Sequence, residues 1–224
     1  MSMACNFCIY RLYCYIMEEN MGLMELKSYQ IGNGKPLICI PVVGRQQEEI
    51  LGAAKEAVRQ GTAILEWRMD WYSQIDDWGR TQEVLEELAA LCKDTVLLCT
   101  FRSRQQGGER EIPEEKYIAL LSGIAQSGCA DLVDVEAKEL SDPKGVIESL
   151  HRQKAAVLAS QHYFSHTPKV GELEEDLCWM KGLGADIGKV AVMPQRNTDV
   201  LRLMEATMRM KERYPAYPVV TMAM

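Results

Sequence analysis

Lys189 sits inside Asp186-Ile-Gly-Lys-Val-Ala-Val-Met-Pro194, a segment that otherwise reads as a buried strand. An ammonium group there is costly unless its charge is neutralised or used. An apolar strand end with cations nearby disfavours the charged form, and a lysine tuned in that way is a nucleophile toward ketones. The competing reading is structural: the stem packs while the ammonium reaches water at the strand end. What else shares the lysine's face decides between them.

From Leu23 onward, short apolar or β-branched runs alternate with segments of helical periodicity. The runs predict strands over Leu37–Val43, Ala63–Asp70, Thr95–Arg102, Asp131–Ala137, Ala156–His162, Asp186–Met193 and Pro218–Met224. Between them, helices are predicted over Glu48–Gln60, Thr81–Lys93 (capped by Thr81), Glu114–Ser127, Pro143–Gln153, Glu172–Lys181 and Asp199–Tyr214. Such a βα repeat implies parallel strands. Gly44-Arg-Gln-Gln after the first strand is no Gly-rich phosphate turn, so the repeat fits a (β/α)8 TIM-type barrel, with seven strands in this chain, better than a doubly wound sheet.

In such a barrel, functional side chains gather at the C-terminal ends of the strands. Alternation puts Glu66, Arg68 and Asp70 on one face of the second strand and Thr100 with Arg102 on the third. Asp134 and Glu136 share a face of the fourth, Ser160 and His162 of the fifth, and Lys189 follows on the sixth. Polar groups on five successive strands, all near one end, require an interior polar site, and that favours chemistry for Lys189.

Taken in order, Glu66-Trp-Arg-Met-Asp70, Thr100-Phe-Arg-Ser103 with Gly107-Gly-Glu109, Asp134-Val-Glu136, Ser160-Gln-His162 with Thr167-Pro168, and Lys189-Val-Ala-Val-Met-Pro-Gln195 resemble the motifs of type I 3-dehydroquinate dehydratase. The resemblance implies a lyase of the shikimate pathway that converts 3-dehydroquinate to 3-dehydroshikimate and water. Lys189 would form the Schiff base and His162 would serve as general base and acid, with no cofactor and no metal. Glu66, Arg68 and Arg102 match substrate-binding positions, Met193 an apolar wall, and Gln106 the support of the histidine. The implied assembly is a cytoplasmic homodimer.

Each residue also has a plainer reading. Arg68 and Glu66 can form a structural ion pair with Asp70, and His162 can be a core histidine bonded to a backbone carbonyl. His151 and His166 read as exposed. Thr167-Pro168 breaks any helix that would let His162 and His166 share a metal. Gln106 stands where the family commonly has a glutamate, so it orients the imidazole without adding charge, and Tyr163 replaces an acidic residue.

Composition fits a small-molecule enzyme. With 224 residues, 25 Lys+Arg against 32 Asp+Glu and a net charge of -7, a nucleic-acid partner is disfavoured, and no apolar run reaches membrane-spanning length. The expected organisation is a tail over 1–22 and a barrel over 23–224, with Met21 or Met24 as candidate starts. Cys5-x-x-Cys8 lacks a second ligand pair, while Cys39, Cys92, Cys99, Cys129 and Cys178 read as small buried hydrophobes of a reduced protein. The sequence ends at Thr221-Met-Ala-Met224, inside the seventh strand. Family members continue with a Ser-Arg loop whose arginine pairs with the substrate carboxylate, then an eighth strand and helix. The expectation is therefore an incomplete barrel. The alternatives are a non-catalytic remnant or binding protein of the same fold, or another class I Schiff-base aldolase.

Overall fold

The computed structural model describes residues 24–32 and 36–224, so the tail and its Cys5-x-x-Cys8 lie outside the described residues. All seven predicted strands are present: β3 (Cys39–Val42), β4 (Ile64–Arg68), β5 (Val96–Thr100), β6 (Leu132–Val135), β7 (Ala156–Tyr163), β8 (Ile187–Val192) and β9 (Val219–Ala223). They pair in sequence order and in parallel, in one seven-stranded sheet. It curls into a TIM-type barrel wall with β3 and β9 as its outer strands.

The six predicted helices follow as α1 (Gln47–Arg59), α2 (Trp78–Leu91), α3 (Glu114–Ser127), α4 (Pro143–Arg152), α5 (Val170–Gly182) and α6 (Asn197–Arg213). Their apolar stripes close onto the outer face of the sheet. Ile50, Leu51 and Ala54 of α1 and Val84, Leu85 and Leu88 of α2 are buried there with Leu65, Trp67, Cys99 and Val133. The α2 cap is not Thr81. Asp77 accepts the N–H of Arg80, while Thr81 is buried one turn in, with its hydroxyl aimed at the carbonyls of Gln74 and Ile75.

A feature absent from the sequence-based expectation closes the floor. An antiparallel hairpin, β1 (Met24–Leu26) and β2 (Tyr29–Ile31), packs Ile31 against Leu98, Leu132, Leu158 and Ile187, inward side chains of β5 to β8. At its turn Lys27 donates to the carbonyls of Cys92 (2.5 Å) and Thr95 (2.6 Å) and pairs with Asp131 at 2.7 Å. Asp131 also accepts the N–H of Leu97, and Asp186 repeats the device on Val157, fixing the register where the strands begin.

The described cysteines are free, and Cys92 and Cys99 are buried as expected; Cys39 is exposed, because β3 is an outer strand. His151 is likewise not free on the surface: it is half-buried, and Nε2 lies 2.8 Å from Asp186.

Candidate active site

Above the apolar floor, the next inward positions are polar. Parallel pairing sets Ser160 beside Lys189 and His162 beside Ala191, so alternation directs Lys189 and His162 to the same side of the sheet. Lys189 is only 8% exposed, its Nζ stands 3.7 Å from Glu66 Oε1, and the Thr100 hydroxyl donates to the same oxygen at 2.8 Å. Lys189 thus lies inside the barrel, beside a carboxylate and away from bulk water. The snorkelling alternative does not describe it.

Arg102 occupies the centre. One terminal nitrogen donates to Glu136 (2.7 Å) and Ser160 (2.9 Å), and the other to Asp134 (2.9 Å). Ser160 in turn donates to Asp134 at 2.7 Å. Burial pushes the Asp134 carboxyl up, but Arg102, Lys189 and the Ser160 hydroxyl outweigh it and hold the group below its ordinary value. Glu136 goes the other way: burial, aided by Asp134, raises it despite Arg102. One arginine thus serves two buried carboxylates unequally.

The plainer reading of Arg68 is realised in part. Its guanidinium grips Asp70 through two bonds of 2.8 Å, and although burial alone would lower its pKa, Asp70 raises it. The strand ends at Arg68, so Asp70 occupies a 3-10 turn rather than the expected continuation of β4. Fully buried there, it also accepts the backbone N–H of Arg102 (3.4 Å) and of Glu109 (3.1 Å), tying the loop after β5 to the end of β4.

His162 closes the site from β7. Its Nδ1 lies 3.0 Å from Gln106 Oε1, and Gln106 Nε2 donates to Glu139 at 3.1 Å. Gln106 is buried at the end of a 3-10 turn, followed by Gly107 at φ +83°. Gly107 is required by its positive φ, with the Phe164 ring close by, and Gly108 by close packing, since a Cβ there would meet the Arg102 carbonyl at 1.8 Å. Phe164 stacks on the His162 ring, with centroids 6.3 Å apart. Tyr163 turns away from the site, donating to Asp176 and accepting from Lys138 at 3.0 Å. Met193, half-buried one residue past β8, continues the alternation of Lys189 and Ala191 and donates its N–H to the His166 carbonyl.

Burial, then the charges of Arg102, Lys189 and Arg68, outweigh Asp134 and push the His162 pKa down to about 3. The imidazole is therefore neutral at pH 7. Its folded pKa lies below the ordinary value of about 6.5, so the unfolded chain binds the extra proton, and stability is lost as pH falls from 6.5 toward 3. Between pH 7 and 5, the wild type should lose about 2 kcal/mol more unfolding free energy than His162→Asn. Parallel losses in urea titrations of the two proteins would show that His162 is not held neutral.

Sequence reasoning did not name Phe164, whose ring lies on His162; it also did not name Glu139, and it misplaced Asp70. Both lie on 3-10 turns, where no strand alternation points to them.

Comparison with known proteins agrees with the geometry. The family described as Type I 3-dehydroquinase matches residues 38–224. The 3-dehydroquinate dehydratase of Clostridioides difficile is 40% identical over 204 residues, covering 90% of this chain and 79% of the relative. That of Bacillus licheniformis is 37% identical over 203 residues, covering 90% and 80%. A crystal structure of the type I enzyme from Clostridium difficile with covalently modified comenic acid superposes with a TM-score of 0.87 at 39% identity, covering 91% of this chain and 81% of that one.

Proposed function

The chain belongs to the type I 3-dehydroquinase family, and we propose that it converts 3-dehydroquinate to 3-dehydroshikimate and water through a Schiff base on Lys189, as a step of the shikimate pathway. The observation that carries this reading is the enclosed Lys189 amine on the same inward face as a neutral His162. The amine adds to the C3 ketone and expels water, leaving an iminium at C3. His162 then removes the C2 proton, because the iminium accepts the electron pair. Burial and then the neighbouring cations disfavour the resulting imidazolium, so it gives its proton to the departing C1 hydroxyl. Hydrolysis of the imine releases the product and restores the amine. No step requires a metal or an organic cofactor, and among the described residues no acidic, histidine or cysteine cluster has metal-binding geometry.

Glu66, beside the amine, and Arg68 are suited to hold ring hydroxyls, since their side chains keep exposures of 12% and 22%. Met193 is suited to form an apolar wall. The net charge of -7 supports a small-molecule substrate and no nucleic-acid partner. No helix among the described residues is long and apolar enough to cross a membrane, and the free cysteines are in keeping with a reducing cytoplasm. Leu201, Met204 and Met208 on α6 are exposed, which supports association into a homodimer. Sedimentation should then return about twice the 25.3 kDa chain mass; a monomer at micromolar concentration would exclude it.

The chemistry is tested by reducing a mixture of protein and 3-dehydroquinate with borohydride and mapping the adduct. One reduced adduct on the peptide containing Lys189 is expected, together with enone absorbance in the unreduced reaction. A folded protein that gives neither would be a non-catalytic member of the family.

A further inference from the structure

We propose that Glu139 is a positioning residue for the reaction: it locks the amide of Gln106 so that His162 carries its proton on Nδ1 and presents a bare Nε2 to the substrate. The inference rests on His162 being the base in the reading above. It follows from donor and acceptor counting. A carboxylate only accepts, so the Gln106 NH2 must face Glu139, as its 3.1 Å bond has it. The carbonyl end of the same amide then faces His162 Nδ1 at 3.0 Å, and a carbonyl oxygen also only accepts. Nδ1 must therefore hold the hydrogen. In a neutral imidazole this leaves the lone pair on Nε2, which has no protein partner among the described residues.

A glutamate at position 106 would impose the same tautomer unaided, because both its oxygens accept. A glutamine does not. Free to turn over, it would present its NH2 to Nδ1, move the ring proton to Nε2 and remove the base. Glu139 prevents that rotation from an exposed position on the 3-10 turn Ala137–Glu139, where it can be replaced without opening the core. The carboxylate that would otherwise touch the histidine thus stands one residue further out, with an amide as the link.

The test combines kinetics with 15N NMR of the imidazole rings, His162 being assigned among the three histidines with His162→Asn. Wild type should show the Nδ1-protonated tautomer. Glu139→Ala should show a mixture or the Nε2-protonated form, with kcat down by about tenfold or more and KM within about twofold. Glu139→Gln, whose amide oxygen can still accept, should recover most of kcat. Gln106→Glu should keep the Nδ1-protonated tautomer, and adding Glu139→Ala to it should change neither tautomer nor kcat, because a carboxylate at 106 needs no lock. An unchanged tautomer and kcat in Glu139→Ala alone, or the same loss from Glu139→Ala in the Gln106→Glu background, would overturn the inference. If wild type does not turn over 3-dehydroquinate, the proposed function fails while the tautomer measurement still decides this point.

Discussion

Replacing Lys189 by alanine is expected to lower turnover of 3-dehydroquinate by at least about 10^4-fold and to abolish the borohydride adduct, since the loss of a covalent nucleophile removes every step routed through it. Alanine also takes a cation from beside Glu66 and Asp134, so lost activity could reflect a disturbed charge cluster. Lys189→Arg separates the two effects. It keeps a positive charge near Glu66 but offers no primary amine, so it should be as inactive as Lys189→Ala while melting closer to wild type. The measurement is the rise of enone absorbance in single-turnover conditions, with thermal unfolding run in parallel. If Lys189→Arg retains activity within about a hundredfold of wild type, the lysine acts through its charge; if Lys189→Ala does, the lysine is dispensable; either result ends the Schiff-base reading.

How this site could be read from sequence follows from where its residues stand. Glu66, Thr100, Arg102, Asp134, Ser160, His162 and Lys189 occupy alternating positions on or just past strands, and the period of two is enough by itself to direct them inward. Each is anomalous in an otherwise apolar run, so together they announce a polar interior. Asp70 and Glu139 lack that signature. Past the strand end the backbone turns, and a turn residue's direction depends on contacts such as Asp70 with Arg68 and with the Glu109 N–H, which only the fold creates. The floor hairpin was hidden for a different reason. Met24–Leu26 and Tyr29–Ile31 are three residues each, too short for a period to register, and their pairing is stabilised by burial of Ile31 against side chains far along the chain. The α2 cap shows a local ambiguity: Asp77 and Thr81 are both suitable N-cap residues, and packing of the Thr81 side chain inside the helix resolves it.

The largest expected effect on stability is at Arg102. Its guanidinium, 4% exposed, balances Asp134 and Glu136, which are 0% and 1% exposed. Arg102→Met would leave both carboxylates in the barrel with no direct cationic partner, and removing one side of a buried charge pair costs about 3–5 kcal/mol. The variant should relieve part of this by taking up a proton, and Glu136 is the site for it, since burial already raises its pKa. The destabilisation should therefore shrink as pH is lowered from 8 to 5. Adding Asp134→Asn and Glu136→Gln to Arg102→Met removes the stranded charges, and the triple variant should regain most of the loss, because a neutral hydrogen-bonded cluster carries a far smaller desolvation penalty. Urea unfolding at two pH values measures both effects. A loss under about 1 kcal/mol in Arg102→Met would mean that water already solvates the cluster. The same variants address the expected contact of Arg102 with substrate. Three of its five N–H donors are engaged by Glu136, Ser160 and Asp134, which leaves Nε–H and one terminal N–H for a ring hydroxyl. A stable triple variant whose KM stays near wild type would make this arginine the support of the carboxylates rather than a ligand of the substrate.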